Sequence, residues 1–97
     1  MILELADIRI KPGQQAAFEA AVKHGIGTLV STSPGFISYT MNHCIETPER
    51  YVLLLQWDTL EAHSVTFRES ALFPQWRAIV GPFFAGPPVV EHFNRVG

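Results

Sequence analysis

The sequence predicts one α+β domain whose elements follow the order βαββαβ. Three observations carry this. Four short stretches are dense in branched aliphatic and aromatic residues, as strands are. Two longer ones repeat apolar residues at helical spacing. Clusters of Pro and Gly separate one stretch from the next. At 97 residues the chain can bury one modest core but not two, so residues 1–97 are read as a single domain. The run of elements suggests an antiparallel sheet with its helices on one face.

The elements are justified in turn. Ile2 to Ile10 reads as the first strand, and Lys11-Pro12-Gly13 ends it. From Gln14 to about Ser31, Phe18, Ala21, Val22, Ile26 and Leu29 recur with helical period, while Gln15, Glu19 and Lys23 hold the opposite side. Gly25 falls on the apolar stripe, where a glycine costs helix stability. Its use is therefore read as close approach to the sheet or to a ligand. Ser33-Pro34-Gly35 ends the helix. Phe36 to Ile45 and Arg50 to Trp57 read as a hairpin joined by Glu46-Thr47-Pro48-Glu49. Asp58, with Glu61 three residues on, predicts a capping box for a helix that turns Leu60, His63, Phe67 and Ala71 inward. Pro74 opens a further helical turn with Trp76, Ile79, Val80 and Phe83 on its stripe, and Gly81-Pro82 closes it. Val89 to Phe93 is the last strand.

Composition excludes several classes of partner. Seven basic and nine acidic side chains give a net charge of −2, with no basic cluster for nucleic acid or a membrane surface. A lone Cys44 allows no internal disulfide and fits a reducing cytoplasm; it is read as a small buried hydrophobe in a strand. Glu4 and Asp7 make the N-terminal stretch unlike a signal peptide, and no apolar run is long enough to span a bilayer.

Tyr51-Val52-Leu53-Leu54-Leu55-Gln56-Trp57 is apolar on both faces. Helices on one side of a sheet cover only one of them. The other face would expose more apolar surface than monomers usually carry, so a homodimer through that face is expected.

The segments Trp57-Asp58-Thr59-Leu60-Glu61-Ala62-His63, Phe67-Arg68-Glu69-Ser70, Phe73, Trp76-Arg77 and Pro88-Val89-Val90-Glu91-His92-Phe93 follow one another in a set order. With Lys11-Pro12-Gly13 and Ser33-Pro34-Gly35-Phe36, this order resembles the antibiotic biosynthesis monooxygenase superfamily over nearly the whole chain. The resemblance implies a ferredoxin-like βαββαβ sheet that pairs as a dimeric α+β barrel, with a pocket between sheet and helices in each subunit. It also implies a choice of chemistries: cofactor-independent oxygenation of quinols and anthrones, haem degradation, or isomerisation. A shared fold does not decide among them.

The residues narrow the choice. No glycine-rich dinucleotide fingerprint and no phosphate loop is present, and His24, His43, His63 and His92 form no close pair with metal-ligand spacing. No cofactor and no metal are therefore expected. The haem-degrading branch resembles itself in a strand-borne Asn and a helix-borne His; here Asp7 stands on the first strand and no His lies around Phe73-Pro74-Gln75-Trp76-Arg77, so that branch is disfavoured.

His63 is the leading candidate for a base, because it shares the inward helix face and an imidazole can take a proton from a phenol or a carbon acid near neutral pH. The alternative is a buried histidine satisfied by a backbone carbonyl or lining the dimer contact. His92 is the second candidate; it alternates with Glu91, so one of the two faces the helices. Trp57, Phe67, Phe73, Trp76 and Phe83, with Phe84, offer flat walls to a planar substrate. Arg77 is the better candidate to hold a phenolate or enolate; Arg68 is read as solvated and paired with a helix neighbour.

The reading is a cytoplasmic, homodimeric, cofactor-independent monooxygenase. It deprotonates a small aromatic or quinol-like substrate, which then reacts with dioxygen. The alternatives are an isomerase of a small carbonyl metabolite and a non-catalytic small-molecule-binding dimer.

Overall fold

The computed structural model describes residues 1–97. The strands are β1 (Ile2–Arg9), β2 (Phe36–His43), β3 (Arg50–Trp57) and β4 (Val89–Phe93), and the helices are α1 (Gln15–Thr28) and α2 (Leu72–Val80). Every paired strand is antiparallel and the sheet order is β2-β3-β1-β4. This is the ferredoxin-like arrangement, with both helices on one face.

Alternation along the strands builds the core. Burial in β3 switches at every residue, and Tyr51, Leu53, Leu55 and Trp57 are the buried set. In register with them, β1 turns Glu4, Ala6 and Ile8 to the same side. Phe18, Val22 and Ile26 of α1 and Val80 of α2 complete the core. Each large side chain removed from water contributes roughly 1.5–3 kcal/mol, so this layer dominates the favourable side of folding.

The opposite face follows from the same register. Leu3 and Leu5 of β1 and Val52 and Leu54 of β3 form an apolar stripe, extended by the exposed Val89 and Phe93 of β4. Ser38, Thr40 and Asn42 of β2 flank it, as does the Asp7–Arg50 ion pair at 2.8 Å.

Several expectations are corrected. Gly25 makes its close approach to the neighbouring helix rather than to the sheet. A Cβ there would sit 2.8 Å from the Trp76 ring, so the glycine admits α2 against α1. β2 ends at His43 rather than Ile45: Cys44 donates the last ladder bond to the Arg50 carbonyl, and Ile45 swings out to 91% exposure. Cys44 is half-buried and lies just past the strand, with Sγ 3.8 Å from Glu46 Oε1. The capping box does not form. Thr59, one residue after Asp58, caps the helical segment by accepting the Ala62 N–H at 3.1 Å.

The segment after Thr59 also differs from a plain α-helix. Ala62–Phe67 is a π-helical turn, closed by the i→i+5 bond from the Arg68 N–H to the His63 carbonyl at 3.1 Å. The wider turn changes which positions stack. Ala62, His63 and Phe67 are buried, whereas Leu60 and Ala71, expected on the inward face, are exposed. Gly35 braces this turn from behind. Its φ of +88° suits glycine, its carbonyl accepts the Asp58 N–H at 2.8 Å, and a Cβ would stand 2.5 Å from that of Ala62. No helix is long and apolar enough to cross a membrane.

Candidate functional site

A cavity of about 390 Å³ lies between the sheet and the segment running from the π turn into α2. Inward side chains of β1, β3 and β4 make its floor, among them Glu4, Ala6, Leu55, Trp57 and Val90. Phe67, Phe73 and Trp76 wall it, and Pro87 and Pro88 close it beside β4. The size and the aromatic lining suit a small planar molecule.

Of the aromatic and basic residues expected here, Trp57, Phe67, Phe73, Trp76 and Arg77 do line the cavity. Phe83 does not. It packs edge-on against Phe18 with ring centroids 5.7 Å apart, and its neighbour Phe84 lines the cavity instead. The short 3-10 turn Gly81–Phe83 gives way to extended backbone at Phe84, which sends adjacent side chains to opposite sides. Arg68 is exposed, as expected, but pairs with no helix neighbour; its guanidinium lies 4.9 Å from the Phe73 ring centre, as that of Arg77 lies 5.5 Å from Phe84. Both cations line the cavity without an acidic partner, each steadied on an aromatic face.

His63, on the π turn, is buried against Trp57 at the cavity. Its Nδ1 is 2.8 Å from Nε2 of His92, and its Nε2 is 3.3 Å from Oε1 of Glu4. His92 reaches it because β4 sets that residue directly across from Glu4, so both point to the helix side. His43 lies away from this group, stacked on Tyr51 at 4.4 Å and hydrogen-bonded to the Pro48 carbonyl at 2.7 Å. His24 is exposed on α1.

Glu4 is the residue that sequence reasoning missed. It is only 6% exposed, and its Oε1 accepts the Trp57 indole N–H at 2.9 Å. Burial drives its carboxyl pKa up to about 7, against the pull of the Trp57 hydrogen bond and the Arg68 charge. Burial pushes His63 the other way, down to about 4, and the neighbouring His92 and Arg68 add to the shift. The contact is thus a meeting of two groups that each resist charge, rather than a firm ion pair. A signal was available: Glu4, Ala6, Ile8 and Ile10 alternate, so the carboxyl belongs to the inward face.

A buried carboxyl with its pKa raised to about 7 lies beside an imidazole with its pKa lowered to about 4, at an aromatic cavity, an arrangement able to exchange a proton. A sequence model of the antibiotic biosynthesis monooxygenase family matches residues 1–79. The chain belongs to that family. His92 and the rest of β4 lie beyond the matched stretch. An uncharacterized Bacillus subtilis protein, YczJ, is 35% identical over 96 residues, covering 99% of this chain and 100% of its own. A Bordetella bronchiseptica crystal structure assigned to the same family is 40% identical, with a TM-score of 0.92 over 98% of this chain and 96% of that one. SnoaB from Streptomyces nogalater, a cofactor-independent oxygenase, superposes with a TM-score of 0.81 over 97% of this chain and 91% of its own. At 15% identity that likeness is one of fold.

Proposed function

We propose that this family member is a cofactor-independent monooxygenase of a small aromatic, quinol-like substrate, working in the cytoplasm as a homodimer. The observation that carries the reading is the buried Glu4–His63 pair at an aromatic cavity of about 390 Å³. The fold shared with SnoaB supports the class of chemistry.

The reaction begins when a base of the Glu4–His63–His92 group takes a proton from a phenol-type substrate. The electron pair stays on the ring, which becomes rich enough to pass one electron to dioxygen. The resulting radical pair combines into a peroxide at a ring carbon. Loss of that carbon's remaining proton and cleavage of the O–O bond leave C=O on the ring and release water. One oxygen atom enters the product, one leaves as water, and the substrate supplies all the electrons. Trp57, Phe67, Phe73 and Trp76 hold the ring, and Arg77 helps bind the substrate by its charge.

The homodimer reading rests on the sheet face away from the helices. Its apolar stripe runs into a groove of about 470 Å³ lined by Leu3, Leu54 and Phe93, which contains no acid or histidine. The same face of a second copy would cover it.

Oxygen uptake tests the function. Purified protein supplied with 1-naphthol, a naphthoquinol or anthrone should consume one dioxygen per substrate above the protein-free rate. His63→Ala should slow it, because it removes one member of the Glu4–His63–His92 group. Turnover of a carbonyl substrate without oxygen would instead identify an isomerase. Binding without turnover would identify a carrier.

A further inference from the structure

We infer that Glu4 is the catalytic residue that exchanges a proton with the molecule in the cavity, through Oε2, and that His63 and His92 are positioning residues behind it. This rests on the oxygenase reading for the identity of the substrate, though not for the site itself.

The two carboxyl oxygens have different surroundings. Oε1 holds the Trp57 N–H at 2.9 Å and stands closest to His63. Oε2 takes no hydrogen bond from the protein. Ser33 Oγ is the only side-chain polar atom both sealed from solvent and unpartnered, so Oε2 keeps some exposure, and the cavity that Glu4 lines is the space we assign to it. A proton can join or leave Oε2 without disturbing either contact of Oε1.

His63 lacks that freedom. One nitrogen faces Glu4 and the other faces His92 at 2.8 Å. Beside an ionised carboxyl the hydrogen belongs on Nε2, so Nδ1 accepts the Nε2–H of His92. The neutral ring then has no lone pair left for a substrate. Its basicity points the same way: with a pKa near 4, His63 is a poor base at neutral pH, whereas Glu4, near 7, can both take and return a proton. The charged or titratable groups around Glu4 are His63 and Arg68 from the π-turn segment and His92 from β4, with Arg77 of α2 on the same cavity. From β3 it meets Trp57.

In the step itself the substrate O–H or acidic C–H bond breaks, its electron pair stays on the substrate, and Oε2 gains the proton. The new O–H later returns that proton to the departing oxygen, and Glu4 ends as it began.

Infrared titration of the intact protein tests this without any substrate. A protonated carboxyl signal should disappear as pH rises through about 7. It should be missing from Glu4→Gln, whose amide oxygen still accepts from Trp57 and preserves the fold. His63→Gln should keep the signal and move its midpoint. Absence of such a signal in the wild type, or its survival in Glu4→Gln, overturns the assignment. With a phenolic substrate turning over, the rate should climb with pH through about 7. Glu4→Gln should lose roughly a hundredfold, while His63→Gln should keep a measurable, pH-shifted activity. Full activity in Glu4→Gln with none in His63→Gln returns the base to His63. If no phenol is consumed, the oxygenase reading fails, and the titration still decides whether Glu4 is the proton-exchanging group of the cavity.

Discussion

Trp57 and Glu4, 53 residues apart in sequence, are joined by an indole N–H donated to a buried carboxyl oxygen at 2.9 Å. The bond ties the end of β3 to the start of β1 and lowers the pKa of a carboxyl that burial raises. Trp57→Phe keeps most of the ring and removes the donor. Chemical denaturation should show a loss of about 1–3 kcal/mol, the scale for orphaning a buried polar group. The carboxyl midpoint should rise further.

Glu4 and His63 act oppositely on stability. For Glu4 the folded pKa, about 7, exceeds the reference 4.5. Its cost is absent below pH 4.5, grows as pH rises and is complete near 7. For His63 the folded value, about 4, lies under the reference 6.5, so its cost is absent above 6.5 and complete near 4. Between pH 4.5 and 6.5 the slopes oppose each other, and these two groups should leave wild-type stability almost flat. Glu4→Gln should uncover a fall toward acid, and His63→Ala a fall toward neutrality. Each should span a few kcal/mol, at roughly 1.4 kcal/mol per unit of pKa shift. Urea midpoints across pH measure both.

Gly35→Ala should be among the most damaging small substitutions. It requires a left-handed backbone at an L-residue and drives a methyl against Ala62, next to His63. A loss of about 1–3 kcal/mol is expected, with oxygen uptake reduced beyond what the unfolded fraction explains.

The two neighbouring leucines of β3 should fail differently. Leu54→Asp, on the face proposed for the second copy, should give a folded monomer by light scattering. Leu53→Asp places a carboxyl in the core and should give little folded protein, since a buried unpaired charge costs several kcal/mol, roughly 3–5 when a partner is lacking. A Leu54→Asp protein that remains dimeric would refute that interface.

Arg77→Ala should raise KM for a phenolic substrate several-fold and change kcat less, because its guanidinium lies at the cavity wall over Phe84 and serves binding of the substrate. An equal fall in kcat and kcat/KM would instead put Arg77 in the transition state.

Much of the fold is legible in the sequence. The bounds of β3 and β4 follow from dense apolar runs between turn residues, and the inward placement of His63 follows from its spacing to Phe67. Glu4 was legible in part. Alternation assigns its face, but only the pairing of β1 with β4 reveals that His92 lies opposite. Other features depend on backbone detail that residue types do not encode. Phe83 and Phe84 are the same residue in adjacent positions, and the exit from a 3-10 turn decides which one meets the cavity. The choice of Thr59 over Asp58 as cap likewise depends on where the chain leaves the sheet.

The π turn makes the placement of His63 a matter of length. A single extra residue within Ala62–Phe67 widens the coil and sets the imidazole over Glu4. Point substitution along the turn leaves that count unchanged. Removing one exposed residue, such as Ser64, would let an ordinary helix close and carry His63 around the axis, off the carboxyl, with every other side chain of the site still in the sequence. Relatives that differ by a one-residue gap here would then share the fold and all the expected residues, yet hold a differently wired floor.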